Sequence, residues 1–136
     1  MNQYILFPLL KGKYDEKYIE SLEKNALKFT KEEFNNIHVY ITENGMAAAD
    51  IESENGEVID LSRVEYLRTH LEMVNNAVNE GCNIKGYFVW SLMNNYEWAY
   101  GYTKRFCISR VNYTTFERKL KMSGEYYSEL IKQHKS

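Results

Sequence analysis

The sequence has few of the residues that mark domain boundaries and metal sites. Its 136 residues contain one proline, Pro8, and two cysteines, Cys82 and Cys107. Since no Pro-rich or Gly/Ser-rich linker interrupts the chain, the composition predicts one domain. The cysteines lack metal-ligand spacing, so we expect two reduced thiols in a cytoplasmic protein that holds no metal and no cofactor.

An excess of one charge and long apolar runs are also missing. The 17 basic and 19 acidic residues leave a net charge of −2, which argues against a nucleic-acid partner. No window reaches the roughly 20 apolar residues of a membrane helix, and Pro8 interrupts the first apolar run, so neither a membrane span nor a signal peptide is expected. The length suits one ordinary domain but excludes a complete (β/α)8 barrel, which needs about 250 residues.

Hydrophobic periodicity predicts alternating helices and strands. The predicted order is a helix over 14–28, a strand over 37–42, a loop over 46–59, a long helix with Asp60 as its N-cap and Gly81 as its C-terminal cap, a strand over 84–92 and a last helix over 124–134. Two strands joined by a helix indicate a βαβ unit of an α/β fold, in which functional groups lie at the carboxyl ends of strands.

Local signals add detail to these elements. Thr30 and Glu33 have the spacing of a capping box for a further short helix, and Ser123 is placed to cap the last helix. The run over 84–92 is continuously apolar, which predicts a strand that is covered on both faces.

Chemistry-bearing residues follow both predicted strands. Glu43 precedes the turn-forming pair Asn44-Gly45; on its own, a glutamate in this place is equally typical of a solvated turn. After the other strand, Trp90 and Trp98 enclose Glu97 within nine residues. Flat aromatic faces beside a carboxylate suit the apolar faces and hydroxyls of a sugar, and a structural aromatic cluster is the alternative.

These motifs resemble the retaining β-glycosidases of glycoside hydrolase family 1. The resemblance rests on VYITENG (39–45) and GYFVWSLMNNYEW (86–98), and it continues through D-x-x-R-x-x-Y-L-x-x-H (60–70) and GYTKRF (101–106). It implies that residues 37–136 correspond to the last two βα units of the barrel and that residues 1–36 form a helical segment like the one between strands five and six. The expected fold of residues 1–136 is therefore α/β, a partial (β/α)8 TIM barrel that does not close as a single chain.

The resemblance also implies roles for individual residues. Glu43 matches the nucleophile. Trp90 matches the platform under the sugar, Glu97 and Trp98 match hydroxyl-binding residues, and Phe106 matches the wall of the same subsite. The family's general acid/base lies in an Asn-Glu-Pro motif, and these 136 residues contain no such motif.

Three functions remain open at this point. The chain is a truncated β-glucosidase-like fragment that is inactive alone, a β-glycosidase that works when a complementing chain or self-association covers its open sheet edge, or a non-catalytic carbohydrate-binding or structural module. The expected ligand is a β-glycoside or a glucose-like sugar. Whether the chain is an enzyme therefore depends on where an acid/base would come from.

Overall fold

The computed structural model describes residues 16–48 and 50–134. The elements of this part, in chain order, are α1 (Glu16–Glu33), β1 (Val39–Asn44), β2 (Ile51–Glu52), β3 (Val58–Ile59), α2 (Leu61–Asn79), β4 (Ile84–Val89), a 3-10 turn (Trp98–Tyr100), β5 (Ser109–Val111), β6 (Arg118–Leu120) and α3 (Met122–Gln133). The mixed α/β composition agrees with the predicted fold class. Residues 1–15 of the predicted segment 1–36 lie outside the described part.

The chain divides into two compact units, each built from separate stretches of sequence. The first unit runs to Asn44 and resumes over Arg68–Phe88. The second unit comprises Gly45–Leu67 and everything from Val89 onward.

The core of the first unit lies between a two-stranded sheet and two helices. Strands β1 and β4 are neighbours in the sheet, so the predicted βαβ order is confirmed. Val39 and Ile41 alternate with the exposed Tyr40, as expected of a strand with one buried face. They pack in one apolar cluster with Leu27, Ala77 and Cys82. Burial of these side chains is what holds the sheet to its helices.

Helix ends in the first unit follow one prediction and contradict another. Gly81 has a φ of 88°, and the N–H groups of Gly81 and Cys82 bond to the carbonyls of Val78 and Ala77, so α2 ends in the predicted glycine cap. The capping box is wrong, because α1 continues through Thr30 to Glu33. The Thr30 hydroxyl instead donates to the Ala26 carbonyl one turn back, at 2.9 Å, a bond that a buried threonine makes inside a helix.

The other face of the β1–β4 sheet is apolar and exposed. Tyr40 and Phe88 are 39% and 55% exposed, and the Tyr40 ring lies 2.8 Å from the position that a Cβ of Gly86 would occupy. The prediction that the second strand is covered on both faces is therefore wrong for this structure. In the described residues this sheet has two strands, and Phe88 on β4 is largely exposed.

The second unit contains two small antiparallel hairpins. Strand β2 pairs with β3 inside the predicted loop, around a turn in which Gly56 has a φ of 80°. Strand β5 pairs with β6. Strands of two or three residues lie below the length at which alternation is recognisable in a sequence, so the first hairpin was not predicted.

Helix α3 begins two residues earlier than predicted. Lys121 is its N-cap, and Ser123 lies inside its first turn, so the prediction that Ser123 caps the helix is wrong. The Ser123 N–H and hydroxyl both donate to the Asp60 carboxylate, at 2.9 and 2.6 Å. Hydrogen bonds to a carboxylate are stronger than those between neutral groups, so Ser123 bonds to Asp60 and does not cap the helix.

Candidate active site

Glu43 lies in β1, one residue before the end of the strand. It is half-buried in the first unit. The next residue, Asn44, is 8% exposed, and its Oδ1 accepts a hydrogen bond of 2.6 Å from the hydroxyl of Tyr87 on β4. The last residue of the strand is therefore hydrogen-bonded to the neighbouring strand.

Gly45 is required by a close backbone approach within the second unit. A Cβ at this position would overlap the carbonyl oxygen of Trp90 and lie 2.8 Å from its carbonyl carbon. Real Cβ atoms do not approach that closely, so the glycine of the T-E-N-G motif is there because a side chain would displace the Trp90 backbone.

The backbone after Trp90 is fixed by a ladder to the Phe106 segment. The Ser91 N–H donates to the Phe106 carbonyl at 3.4 Å, and the Ile108 N–H donates to the Ser91 carbonyl at 2.9 Å. The Trp90–Ser91 peptide bond is cis. Trp90 is half-buried and Phe106 is 2% exposed. Two of the predicted sugar-site residues, Trp90 and Phe106, are thus adjacent to the same ladder.

Asn94 supports this ladder. Its Oδ1 accepts a hydrogen bond of 2.7 Å from the Val111 N–H, a bond that an aspartate at this position would also accept. Its Nδ2 is buried and has no hydrogen-bond partner among the described residues. Compared with an aspartate, the Asn94 amide keeps the acceptor oxygen but adds a buried N–H donor without a partner, which lowers the free energy of unfolding.

Glu97 and Trp98 lie next to each other with opposite exposures. Glu97 is 6% exposed, and its N–H donates to the Gly101 carbonyl at 2.7 Å, which closes a tight turn. Trp98 is 83% exposed and has a φ of 43°. A bulky residue with positive φ is strained, and strain of this kind clusters at ligand-binding positions.

A buried ionic cluster supports the second unit, and the sequence analysis did not identify it. Arg63 is fully buried; it pairs with the Asp60 carboxylate and donates to the Arg105 carbonyl at 2.5 Å. Lys121, also fully buried, pairs with Asp50. The three-residue spacing of Asp60 and Arg63 at the start of α2 could have predicted their ion pair. The Arg105 and Asp50 contacts could not have been predicted, because these partners are distant in sequence.

Two groups of the second unit have perturbed acidities. Burial raises the pKa of the Cys107 thiol, although Lys121 and Arg63 nearby oppose the change. Burial also raises the pKa of the Tyr113 hydroxyl, against the field of Arg105. A buried thiol with a raised pKa is a poor nucleophile, so Cys107 is not a candidate for covalent chemistry.

The described part of the chain offers no metal centre or membrane span. Within residues 16–48 and 50–134 no cluster of three His, Cys, Asp or Glu side chains is arranged to hold a metal ion. No helix in these ranges is both long and apolar enough to cross a membrane.

The predicted site residues fall into two sets. Glu43 belongs to the first unit, while Trp90, Glu97, Trp98 and Phe106 belong to the second. Three positioning contacts were missed by sequence reasoning, namely the Tyr87–Asn44 bond, the Gly45–Trp90 approach and the Arg63–Arg105 bond.

Comparison with known proteins gives one consistent result. The family model for glycosyl hydrolase family 1 matches residues 11–136. A 1,4-beta-D-glucan glucohydrolase of Thermotoga neapolitana is 54% identical over 108 residues, which cover 79% of this chain and 24% of that protein. Beta-glucosidase A of Thermotoga maritima is 51% identical with the same coverage. A 6-phospho-beta-galactosidase of Staphylococcus haemolyticus is 39% identical over 114 residues.

Solved structures agree with the sequence relatives. The family 1 β-glucosidase of Thermotoga maritima, in complex with isofagomine lactam, matches with a TM-score of 0.78 and 50% identity. The match covers 80% of this chain and 25% of that one. The chain therefore spans about a quarter of the length of these relatives, and its structural neighbours are TIM-barrel glucosidases.

Proposed function

Because the chain belongs to glycosyl hydrolase family 1, we propose that it carries the nucleophile half of a retaining β-glycosidase site. In this proposal Glu43 attacks the anomeric carbon of a β-glucoside and forms a glycosyl-enzyme ester, and the bond to the leaving oxygen breaks. The observation that carries the proposal is the family match through T-E-N-G, with Glu43 near the end of a strand whose last residue is hydrogen-bonded.

The sugar-binding part of the proposal concerns the second unit. Trp90 is the platform under the sugar, Glu97 and Trp98 bind its hydroxyls, and Phe106 forms a wall. The positive φ of Trp98 supports the role, since backbone strain of this kind clusters at ligand-binding positions, and its exposed indole is open to a ligand.

On its own the 136-residue chain should be a poor catalyst for natural glycosides. A retaining enzyme needs a second carboxyl group about 5–5.5 Å from the nucleophile, and general acid help contributes about 10²–10⁴-fold. These residues contain no Asn-Glu-Pro motif that would supply the acid/base. Natural leaving groups would leave slowly, and no base would activate water to release the glycosyl-enzyme.

One structural feature favours a second candidate, which is activity by complementation. The Tyr40–Phe88 face of the β1–β4 sheet is apolar and exposed, and the chain corresponds to a quarter of its relatives' length. A polypeptide with the remaining barrel strands is the occupant that this face fits, and it would also bring the acid/base. A non-catalytic sugar-binding module remains the third candidate, supported by Trp98 alone.

Covalent trapping tests the proposal directly. The purified chain is incubated with a 2-deoxy-2-fluoro-β-glucoside that bears a dinitrophenyl leaving group, and its intact mass is followed over time. We expect one fluoroglucosyl adduct on Glu43, located by peptide mapping, and no adduct on Glu43→Gln. A parallel series with the 6-phosphorylated fluoroglycoside tests the sugar class.

The outcomes separate the candidates. An adduct at another residue, or equal labelling of Glu43→Gln, would contradict the nucleophile assignment. Saturable quenching of tryptophan fluorescence by glucose without any adduct would favour the binding module. Labelling that appears only when a fragment carrying the other barrel strands is added would favour complementation.

A further inference from the structure

We infer that Tyr87 and Asn44 act together as a positioning pair for Glu43, an inference that rests on the proposed nucleophile role. The Tyr87 hydroxyl donates to Asn44 Oδ1 at 2.6 Å, and the two residues lie on neighbouring strands of one sheet. Both belong to the first unit, as does Glu43.

Geometry explains why this bond affects Glu43. The bond joins Tyr87 to Asn44 and does not involve the Glu43 side chain itself. The bond instead fixes the residue that follows Glu43, at the last position of β1. The β1 backbone is thereby held to β4 at the point from which the Glu43 side chain departs.

Burial strengthens the Tyr87–Asn44 hydrogen bond and limits the freedom of both side chains. Asn44 is 8% exposed, and Tyr87 packs against the apolar cluster of the first unit. A buried hydrogen bond is electrostatically stronger than one in water, and a ring that is packed against a core has little freedom to move away. A nucleophile that must meet an anomeric carbon at about 3–3.5 Å loses rate when its backbone is free to shift.

The Tyr87–Asn44 bond joins β1 and β4 where their backbone pairing ends. Beyond Asn44 the strand ends, and beyond Val89 strand β4 ends. The side-chain bond thus ties together two strands near the ends at which backbone pairing stops.

The test compares Tyr87→Phe with Tyr40→Phe. Both remove one tyrosine hydroxyl from the same sheet, but Tyr40 lies on its exposed face. For each variant, trapping by the 2-fluoroglucoside is resolved into the first-order rate at saturation and the reagent concentration at half-saturation. We expect Tyr87→Phe to lower the saturated rate by about fivefold to tenfold with the half-saturation concentration unchanged. Tyr40→Phe should match the wild type.

Asn44→Ala and the double variant complete the cycle. If the two side chains act through one bond, adding Tyr87→Phe to Asn44→Ala causes no further loss. Equal rates for Tyr87→Phe and the wild type, or additive losses in the double variant, would overturn the inference. Thermal melting of each variant separates lost positioning from lost folding.

A readout that needs no chemistry keeps the inference independent of the proposed function. Three-bond couplings of isotopically labelled Glu43 report whether its χ1 angle adopts one rotamer. We expect one rotamer in the wild type and Tyr40→Phe, and averaging in Tyr87→Phe. If the wild type is not trapped, the nucleophile proposal fails, and the couplings alone decide the positioning: averaging in Tyr87→Phe supports it and identical couplings overturn it.

Discussion

Arg63 is the largest fully buried side chain among the described residues, and it carries a full charge. A guanidinium is tolerated there because the Asp60 carboxylate, the Arg105 carbonyl and the Met46 carbonyl accept hydrogen bonds from its two terminal nitrogens. The Arg105 contact lies directly before Phe106, so the buried arginine also fixes the backbone of a proposed sugar-site residue. The sequence supplied the Asp60–Arg63 spacing, but Ser123, which shares the same carboxylate, lies 63 residues away and was assigned to helix capping.

Replacement of Arg63 by methionine should therefore be strongly destabilising. Asp60 would remain buried without its counter-charge, which costs about 3–5 kcal/mol of unfolding free energy. Urea unfolding of Arg63→Met against the wild type measures the loss. If the unfolding free energy of the wild type is smaller than this loss, Arg63→Met should show no cooperative unfolding transition.

Arg68→Met is the matched control. Arg68 pairs with Glu72 at 2.7 Å, but both side chains are exposed, so the expected loss is below about 1 kcal/mol. An Arg63→Met variant within about 1 kcal/mol of the wild type would show that the buried pair is not what stabilises the second unit.

At the scale of elements, α1 and the end of α2 are joined by charge. Lys24 and Lys28 of α1 pair with the Glu80 carboxylate at 2.8 and 2.7 Å, and Lys31 donates to the Glu80 carbonyl at 2.6 Å. Hydrogen bonds from Lys24 and Lys28 lower the pKa of Glu80 from 4.5 to about 2. Element order was predictable because long apolar stripes and the Gly81 cap are local signals. The contacts of these three lysines with Glu80, which we call the Glu80 clamp, were not predictable, because the lysines lie 49 to 56 residues from Glu80 in sequence.

This clamp predicts a specific acid dependence of stability. Since the folded-state pKa of Glu80 lies below that of an unfolded glutamate, its contribution is fully present above about pH 4.5 and is lost as the pH falls toward 2. Glu80→Gln should unfold at a lower temperature than the wild type at pH 7, and the difference should vanish near pH 2. Melting curves at several pH values measure it.

Salt and a control variant separate the clamp from general charge effects. The difference between wild type and Glu80→Gln should shrink at 1 M salt, because both partners are solvent-exposed. Glu72→Gln removes an exposed carboxylate whose pair lies within one helix and should show a smaller change. A Glu80→Gln melt that equals the wild type at pH 7 would contradict the clamp.

At the scale of the whole molecule, motifs and length carry different information. The motifs identified the family from residues 39–45 and 86–98, and the family model confirms it over 11–136. The length predicted that no closed barrel forms, and the sheets of the described residues have two strands each. Sequence could not predict the exposed Tyr40–Phe88 face, because a continuous apolar run is equally typical of a strand covered on both sides and of one awaiting a partner.

The most direct test of the central claim is the stoichiometry of leaving-group release. The chain is mixed with excess 2,4-dinitrophenyl β-glucoside, whose leaving group needs no proton, and dinitrophenolate is counted per chain. We predict a burst that approaches one equivalent and then stops, with glucosyl-Glu43 accumulating, because the proposed nucleophile attacks the sugar and no base activates water. Sustained linear release by the wild type alone, or the same release by Glu43→Gln, would contradict it.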